Sequence, residues 1–517
     1  MAPTQATTAA NQPPPLSNYN LYEQDTALLE AVRREGAAAW EDELAAFGET
    51  LGGEPLEWGR LANEHPPVLR THDRYGERID EVEFHPAGDA MLRLGLAARV
   101  QSLPWVDERP GAHAARATLF MLLGQVEAGV CCPLSMTFAA VPALRAQPEL
   151  AAEWVPRLTS GEALCGMAMT ERQGGSDVRA NETVARPDGD GWLLDGDKWF
   201  CSAPQSDAFL ALAQAPGGLS CFLLERPHPG FRIERLKDKL GNRSNASAEI
   251  VLDGVAARLV GEEGRGVRTI VEMVNHTRLD CVLGSAALMR RAVAEATHHA
   301  AHRSAFGRLL ADQPLMQNVL ADLCIESEAA TATALRLARA YDEADGPFRR
   351  IATAVGKFWV CKRTPPLVAE ALECLGGNGY VEESHLPRLF RESPVNSIWE
   401  GSGNVNALDV LRALGREPDT AAAFLAEVRL ADGADPRLDA AVTRLERDLA
   451  EPDERAARRL LELLAVTLQG SLLVRHGSPE VADAFCASRL DAPGGVFGTL
   501  PSDVDQSAIV ERARPRR

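Results

Sequence analysis

Three short segments contain side chains whose types and spacing could do chemistry. The first, Met167–Asp177, reads MAMTERQGGSD and combines hydroxyls with two adjacent glycines. Glycines let the main chain approach a ligand closely, and hydroxyls donate hydrogen bonds without adding charge, so this loop suits a flat polar ring. The second, Lys198–Ser202, reads KWFCS, and the third, Ile398–Asn404, reads IWEGSGN. The third segment places Glu400 between an apolar pair and an open Gly-Ser-Gly turn, a setting that would raise the basicity of its carboxylate.

These residues favour acid–base chemistry beside a bound ring. Glu400 is the candidate general base. The side chains offer no hydride acceptor, so any redox step requires a cofactor. Each segment also has a plainer interpretation: Glu400 as an acid near a helix start, Met167–Asp177 as a surface turn, and Lys198–Ser202 as a strand with a core tryptophan.

The elements that must position these residues change character along the chain. Residues 23–160 show helical spacing, and Pro133, Pro142, Pro148 and Pro156 punctuate short helices. Residues 164–260 show β-type runs, with turn signals at Asp188-Gly189, Asp190-Gly191, Asp195-Gly196 and Pro216-Gly217-Gly218. Long helices are predicted over 266–302, from Gln313 onward and over 348–375. A further helical segment follows Arg416 and ends in a loose tail.

Composition excludes several classes of protein. The formal charge of −19 disfavours indiscriminate binding to DNA or to an anionic membrane, although a local basic patch remains compatible with it. There is no apolar run near the ~20 residues that span a bilayer. The start, MAPTQATTAANQPPP, reads as a flexible polar leader rather than a secretory signal, so a cytoplasmic location is expected. The ten cysteines form no metal-ligand spacing and are expected to be buried, with no metal site.

Together the three segments resemble the flavin site and catalytic base of the acyl-CoA dehydrogenase family, and the resemblance covers essentially the whole chain. Residues 373–404 (ECLGGNGYVEESHLPRLFRESPVNSIWEGSGN) are similar to the family's glycine-rich C-terminal signature. The resemblance implies FAD as the cofactor and an α+β fold, with an N-terminal helical domain, a middle β-barrel domain and a C-terminal four-helix bundle. It also implies an acyl-CoA ligand, from which Glu400 takes the α proton while flavin takes the β hydride. Related dehydrogenases can carry the base on the first bundle helix instead, but Thr277 at that position cannot abstract a proton.

The resemblance also implies which residues hold FAD. Met169 and Thr170 would contact the isoalloxazine edge, and Ser176 the phosphates or the ligand. Arg303 would meet the pyrophosphate and adenosine end, typically across a subunit boundary; the plainer interpretation is a helix-capping arginine beside a core phenylalanine. The implied cofactor-binding residues are Met167, Met169, Thr170, Ser176, Trp199, Phe200, Ser202, Arg303, Phe306, Gln313, Gly376, Gly377, Gly401 and Asn404.

Within the family, the start of the chain is similar to the N-terminal extension of a subgroup linked to DNA alkylation resistance. That similarity implies a homotetramer with an extra C-terminal helical domain, duplex DNA binding and weak dehydrogenase activity. The expected organisation is an extension (1–22), a helical domain (23–163), a β domain (164–262), a bundle (263–418) and the extra domain (419–517).

The predicted role in DNA binding has less support. Residues 421–517 contain thirteen arginines and sixteen acidic residues, whereas phosphate-binding surfaces normally carry a surplus of positive charge. The candidate phosphate contacts are Arg412, Arg416, Arg437, Arg444 and Arg447. Two alternatives to dehydrogenation therefore remain: a DNA-associated protein in which FAD is structural or deactivates alkylating agents, and a structural descendant with a vestigial pocket.

Overall fold

The computed structural model describes residues 11–515, and helical, β and again helical regions follow one another along the chain. The first helical region comprises α1 (Thr26–Arg34), α2 (Glu41–Leu51), α3 (Pro55–Glu64), α4 (Pro86–Ala97), α5 (Leu103–Val106), α6 (Ala112–Val126), α7 (Cys131–Leu144) and α8 (Pro148–Ser160). Pro142 and Pro156 lie inside α7 and α8, so the expectation that they separate helices is wrong. Each helix continues through its proline because only one main-chain hydrogen bond is lost there.

A hairpin interrupts this region and was not expected from the sequence. Strands β1 (Val68–His72) and β2 (Arg78–Glu83) pair antiparallel. Their turn is fixed by Oδ1 of Asp73, which accepts hydrogen bonds from the main-chain nitrogens of Tyr75 and Glu77. The strands are largely exposed, so they show little of the apolar alternation that predicts a buried strand.

The middle region is a β barrel. It consists of β3 (Cys165–Ala168), β4 (Val184–Asp188), β5 (Gly191–Ser202), β6 (Ala208–Ala215), β7 (Gly218–Glu225), β8 (Phe231–Leu236) and β9 (Ser247–Val260). Strands β6, β4, β5, β9 and β7 are joined in that order, and β7 pairs again with β6, which closes the circuit. Closure satisfies the strand edges and gives the site a rigid wall.

One predicted turn of this region is wrong. Asp195-Gly196 lies inside β5, where the pairing with β9 shifts register between Leu194 and Gly196. A Cβ at Gly196 would lie 2.5 Å from Oγ1 of Thr183, so the glycine marks a bulge with close main-chain approach rather than a chain reversal.

The second helical region is a bundle around one long central helix. The predicted helix over 266–302 is confirmed as α9 (Gly266–His302), and a short hairpin, β10 (Ser304–Ala305) and β11 (Arg308–Leu309), follows it. The remaining elements are α10 (Pro314–Asp342), α11 (Gly346–Cys374), α12 (Gly377–Tyr380), α13 (His385–Glu392) and α14 (Gly403–Arg416). A buried ion pair between Arg116 and Asp280 joins α6 to α9. None of the helices within residues 11–515 is long and apolar enough to cross a membrane.

The C-terminal helices pack onto this bundle. They are α15 (Asp419–Val428), α16 (Pro436–Ala450), α17 (Ala457–His476), α18 (Pro479–Phe485) and α19 (Gln506–Ala513). The expected loose tail is wrong for α19, because Ile509 and Val510 are buried and the Arg512 guanidinium bonds Glu30 and Glu328. The guanidinium of Arg290 in α9 donates to the carbonyl oxygens of Ala513 (2.6 Å) and Gln24 (2.7 Å), so one side chain joins both ends of the described chain.

The leader expected at the N-terminus is also partly wrong. Residues 1–10 lie outside the described part of the chain. From Asn11 onward the chain is packed: the carbonyl oxygen of Pro14 lies 2.8 Å from Nε2 of His298, and Leu16 and Tyr19 are buried.

Candidate active site

The segment that contains Glu400 is held in an unusual backbone conformation. Glu400 lies between a 3-10 turn, Val395–Ser397, and the start of α14, and its φ is +57°. A side chain with Cβ rarely adopts this left-handed region, and such strain is concentrated at functional sites. Gly401, with φ +99°, follows directly.

The carboxylate of Glu400 is oriented by one hydroxyl. Oγ1 of Thr277 donates to Oε2 of Glu400 at 2.6 Å. Burial raises the pKa of Glu400, while the Thr277 hydrogen bond and the cations of Lys357 and Arg278 act in the opposite direction. The result is a fixed carboxylate with enhanced basicity, as a general base requires.

Two cations fix the main chain on both sides of this carboxylate. Nζ of Lys357, on α11, donates to the carbonyl oxygen of Trp399 at 2.7 Å and also to that of Gly401. Nε of Arg278 donates to the carbonyl oxygen of Glu400 at 3.0 Å, and its Nη1 bonds Asp409. Within residues 11–515 the N–H of Glu400 has no acceptor, so it is left for a ligand.

Sequence reasoning missed both cations as site residues. Lys357 is almost fully buried between Gly356 and Phe358 on α11, in a chain where lysine is rare. A lone lysine at such a position was the available signal, since a buried ammonium needs oxygen partners.

The loop Met167–Asp177 starts on the barrel and returns over itself. The carbonyl oxygen of Thr170 accepts from the main-chain nitrogen of Trp199 at 2.8 Å, which ties the loop to β5. A Cβ at Gly175 would lie 2.6 Å from Oγ1 of Thr170, so this position requires glycine. Met167 is half-buried on β3, and Ser176 is exposed.

A buried ion pair supports this loop from inside. Nζ of Lys198 lies 2.6 Å from Oε1 of Glu171 and 2.7 Å from the carbonyl oxygen of Leu212. Glu171 also accepts hydrogen bonds from the main-chain nitrogens of Glu182 and Thr183. The sequence did not predict a role for either Glu171 or Lys198, although they lie in the segments Met167–Asp177 and Lys198–Ser202.

Trp199 and Phe200 differ in their surroundings. A register shift in β5 between Lys198 and Cys201 changes the alternation of the strand here. The Lys237 ammonium lies 3.5 Å from the centre of the Trp199 ring. Phe200 is 53% exposed and therefore offers more open apolar surface for a flat ring than Trp199 does.

The Cys132 thiol, at the start of α7, is influenced by groups of both the barrel and the Glu400 segment. Burial raises the pKa of this thiol to about 11; the charges of Lys239 and Glu400 and hydrogen bonds from Asn245 and Ser202 also act on it. Oγ of Ser202 lies 3.1 Å from Oγ of Ser247, which accepts from Nζ of Lys239 at 2.9 Å. The Ser202 hydroxyl is therefore part of a polar chain that leads through Ser247 to Lys239.

The remaining cofactor candidates lie around the β10–β11 hairpin, at α12 and at the start of α14. Phe306 is 97% exposed at the tip of the β10–β11 hairpin, with φ +52°. Nε2 of Gln313 donates to the carbonyl oxygen of Ala305, and Nη1 of Arg303 to that of Asn11. Gly376 (φ +59°) and Gly377 have open space around them, and Asn404 is exposed. Among the described residues, no hydrogen bond joins these side chains to Glu400 or Ser202.

The candidate DNA-binding arginines also differ from one another. Arg437 is held by Asp435 and Asp483, so its charge is already satisfied. Arg444 bonds the carbonyl oxygen of Leu490, and Arg447 pairs with the adjacent Asp448. The side chain of Arg412 is 56% exposed, and its nearest carboxylate, Asp409, is 3.3 Å away. Arg416 is exposed and makes no ion pair within residues 11–515.

Comparison with sequence families matches three consecutive regions of the chain. Residues 11–162 match the adaptive response protein AidB N-terminal domain, residues 166–255 the acyl-CoA dehydrogenase middle domain, and residues 264–415 the acyl-CoA dehydrogenase C-terminal domain. The chain belongs to the acyl-CoA dehydrogenase family, and it is therefore an FAD-dependent, acyl-CoA dehydrogenase-like oxidoreductase.

Similarity to individual relatives shows which members of the family this chain resembles. The chain is similar to the putative acyl-CoA dehydrogenase AidB of Escherichia coli K12, at 48% identity over 95% of this chain and 96% of the relative. It is 31% identical to acyl-CoA dehydrogenase family member 11 of Caenorhabditis elegans, over 91% and 88% of the two chains. The resemblance drawn from the motifs is confirmed.

Solved structures agree with the fold. The crystal structure of Caenorhabditis elegans ACDH-11 in complex with C11-CoA superposes with a TM-score of 0.87, at 28% identity and 94% coverage of both chains. The apo form of Bd2924 gives a TM-score of 0.84, at 29% identity, over 90% of this chain and 99% of that one. The predicted α+β acyl-CoA dehydrogenase-like fold is confirmed.

Proposed function

We propose that this protein dehydrogenates an acyl-CoA or a related thioester, with Glu400 as the base that removes the α proton. The observation that carries this proposal is the hydrogen-bonded, partly buried carboxylate of Glu400, held with its own N–H unpartnered in the described chain. An acyl-CoA ligand is supported by the similarity to ACDH-11, which was crystallised with C11-CoA.

The residues around Glu400 have separate tasks in this reaction. Thr277 holds Oε2, so that the other carboxylate oxygen can face the α carbon. The N–H of Glu400 would donate to the thioester carbonyl and stabilise the negative charge that develops there, as an oxyanion hole does. Lys357 and Arg278 hold the main chain that carries both groups, so neither needs to reorganise during proton transfer.

The barrel side offers donors that suit a flavin ring. The hydroxyls of Thr170 and Ser202, the exposed ring of Phe200 and the bare main chain at Gly174–Gly175 suit a flat, uncharged, hydrogen-bonding ring system. We assign Met167, Met169, Thr170, Trp199, Phe200 and Ser202 to the isoalloxazine end. Ser176, Gly401 and Asn404 are assigned to the rest of the cofactor. When bound, FAD supplies the acceptor for the β hydride.

The test mixes the flavin-loaded protein with a panel of short and medium acyl-CoAs. Bleaching of the flavin absorbance measures the reduction of the bound flavin. Glu400→Gln keeps the size and hydrogen-bonding of the side chain but removes its basicity. The rate should fall by about 10²–10⁴-fold or more with flavin content unchanged. If no thioester bleaches the wild-type flavin, or if Glu400→Gln is reduced at the wild-type rate, the proposal is wrong.

An assembly of several copies is supported by exposed apolar side chains. In a single chain, several large hydrophobic side chains on the bundle surface and the hairpin are exposed to solvent. They are Phe306, Leu315, Tyr380 and Ile398. We propose a homotetramer, in which Arg303, Phe306, Gln313, Gly376 and Gly377 meet the diphosphate and adenosine end of a neighbouring subunit's FAD. Light scattering that gives the mass of one chain would contradict this.

A second function is supported by two arginines at the junction with the C-terminal helices. Arg412 and Arg416 are exposed on the last turns of α14, and they are less fully paired than Arg437. We propose that they contact duplex DNA, in keeping with a response to DNA alkylation. In that role FAD would be structural or would deactivate alkylating agents. Affinity for a duplex that shows no dependence on salt would exclude this role.

A further inference from the structure

Residues 11–18, the N-terminal strap, connect the surfaces that carry the predicted diphosphate-binding residues. The strap runs beside the β10–β11 hairpin, α12 and α9. Its far end is fixed, because the N–H of Asn18 donates to the carbonyl oxygen of Gly52 at 2.7 Å and Leu16 is buried. Its near end, at Asn11, reaches the hairpin.

Asn11 binds the hairpin as a neighbouring strand would. Its Nδ2 donates to the carbonyl oxygen of Ser304 at 2.8 Å, and its Oδ1 accepts from the main-chain nitrogen of Ser304 at 2.7 Å. A two-stranded hairpin is marginal by itself, so this carboxamide stands in for a third strand. The turn that presents Phe306 is therefore held from both sides, by Asn11 and by Gln313.

The strap also accepts hydrogen bonds from two side chains, Arg303 of the predicted diphosphate site and Asn378 beside its glycines. The carbonyl oxygen of Asn11 accepts from Nη1 of Arg303 at 2.5 Å. Within residues 11–515, Nε and Nη2 of Arg303 make no hydrogen bond, so part of the guanidinium fork remains for phosphate oxygens. Oε1 of Gln12 accepts from Nδ2 of Asn378 at 3.0 Å, next to Gly376 and Gly377.

We propose that the N-terminal strap is a positioning element for the diphosphate end of FAD, acting through Asn11 on Arg303 and through Gln12 on the glycine loop. The inference rests on the proposed function, which places those residues against the cofactor. If the Arg303 guanidinium and the Gly376–Gly377 loop are ordered before the diphosphate binds, they lose less conformational entropy on binding. Asn11 and Gln12 themselves need not touch the cofactor.

The test compares the rates at which the full-length protein releases FAD and FMN on dilution. The return of flavin fluorescence measures the release. FMN keeps the ring but lacks the second phosphate and the adenosine. Asn11→Ala removes two hydrogen bonds to Ser304 and should speed FAD release by about tenfold. FMN release and the absorbance spectrum of the bound ring should stay unchanged. Gln12→Ala should act in the same direction.

Ser17→Ala is the matched control, because the Ser17 hydroxyl is on the same strap and makes no hydrogen bond within the described residues. It should release both flavins at the wild-type rate. If Asn11→Ala releases FAD no faster than wild type, or loosens FAD and FMN equally, the inference is overturned while the proposed function stands. If the wild-type protein takes up neither flavin, the proposed function fails and the inference with it.

Discussion

Thr277 and Glu400 are 123 residues apart in the chain, yet the hydroxyl of one donates to the carboxylate of the other at 2.6 Å. Thr277 occupies the place where related dehydrogenases can carry their base. In this chain the residue at that place holds the proposed base, Glu400, instead of providing one. The pair therefore explains how a residue with no acid–base chemistry of its own can still affect proton transfer.

Thr277→Val should move the pH dependence of flavin reduction. Burial raises the pKa of Glu400 and the Thr277 hydrogen bond lowers it, so removing the hydroxyl should raise this pKa further. The base works only when ionised, so the rate should fall at a higher pH than in wild type as the solution is acidified. Stopped-flow reduction across pH 5 to 9 measures this.

The control for this change is Thr364→Val, because among residues 11–515 the buried hydroxyl of Thr364 donates only to the carbonyl oxygen of Val360. Thr364→Val should leave the acid limb of the pH–rate profile, the fall in rate on acidification, where it is in wild type. An acid limb that does not move in Thr277→Val would show that the hydroxyl does not act on Glu400.

Lys357→Met should slow flavin reduction without loss of flavin. The ammonium holds the carbonyl oxygens on both sides of Glu400, so its removal frees the main chain that aims the base. A misplacement of about 1 Å costs on the order of 10²-fold in rate. Lys362→Met, on the same helix, removes an ammonium that lies against Gly403 but makes no hydrogen bond among the described residues, so it should slow the reaction much less than Lys357→Met. Equal rates in both variants would contradict the role given to Lys357.

Lys198→Met should destabilise the barrel and its loop. It leaves the Glu171 carboxylate buried without its cation, at a cost of about 3–5 kcal/mol in the free energy of unfolding. Urea denaturation measures this, and flavin content should fall because Glu171 organises the loop beside Thr170. The double variant Glu171→Gln, Lys198→Met removes both charges and should recover part of the loss. A double variant less stable than Lys198→Met would show that the charge pair is not the cause.

The fold could be predicted from the sequence, and Glu400 could be named as the candidate base, but most of the contacts that hold it could not be predicted. The end of α9 at His302 and the bounds of β8 follow from apolar periodicity and turn residues, which are local. Glu400 was recognisable because a carboxylate between apolar residues and glycines is a local signal too. Lys357 and Arg278 act across tertiary contacts that no local pattern reports. The β1–β2 hairpin was missed because its exposed strands show no apolar alternation.

Arg412→Ala and Arg416→Ala should each weaken duplex binding with flavin content unchanged. Each removes one exposed cation, so the slope of log affinity against log salt should fall by about one per phosphate contact. Arg437→Ala is the control, because Asp435 and Asp483 already hold that guanidinium. Fluorescence anisotropy of a labelled duplex, titrated at several salt concentrations, gives the slope. A larger effect from Arg437→Ala than from Arg412→Ala would assign DNA to the α16 surface instead.

One hydrogen-bond partner of the Arg290 guanidinium is synthesised late, near the C-terminus. Two of its partners, the carbonyl oxygen of Gln24 and the carboxylate of Asp25, precede it in the chain, but the carbonyl oxygen of Ala513 lies 223 residues after it. During synthesis on the ribosome the central helix α9 emerges before α19, so the Arg290 guanidinium lacks its Ala513 partner until the last helix has been made. Nascent chains stopped before α19 should therefore be more open to proteases and chaperones than the finished protein.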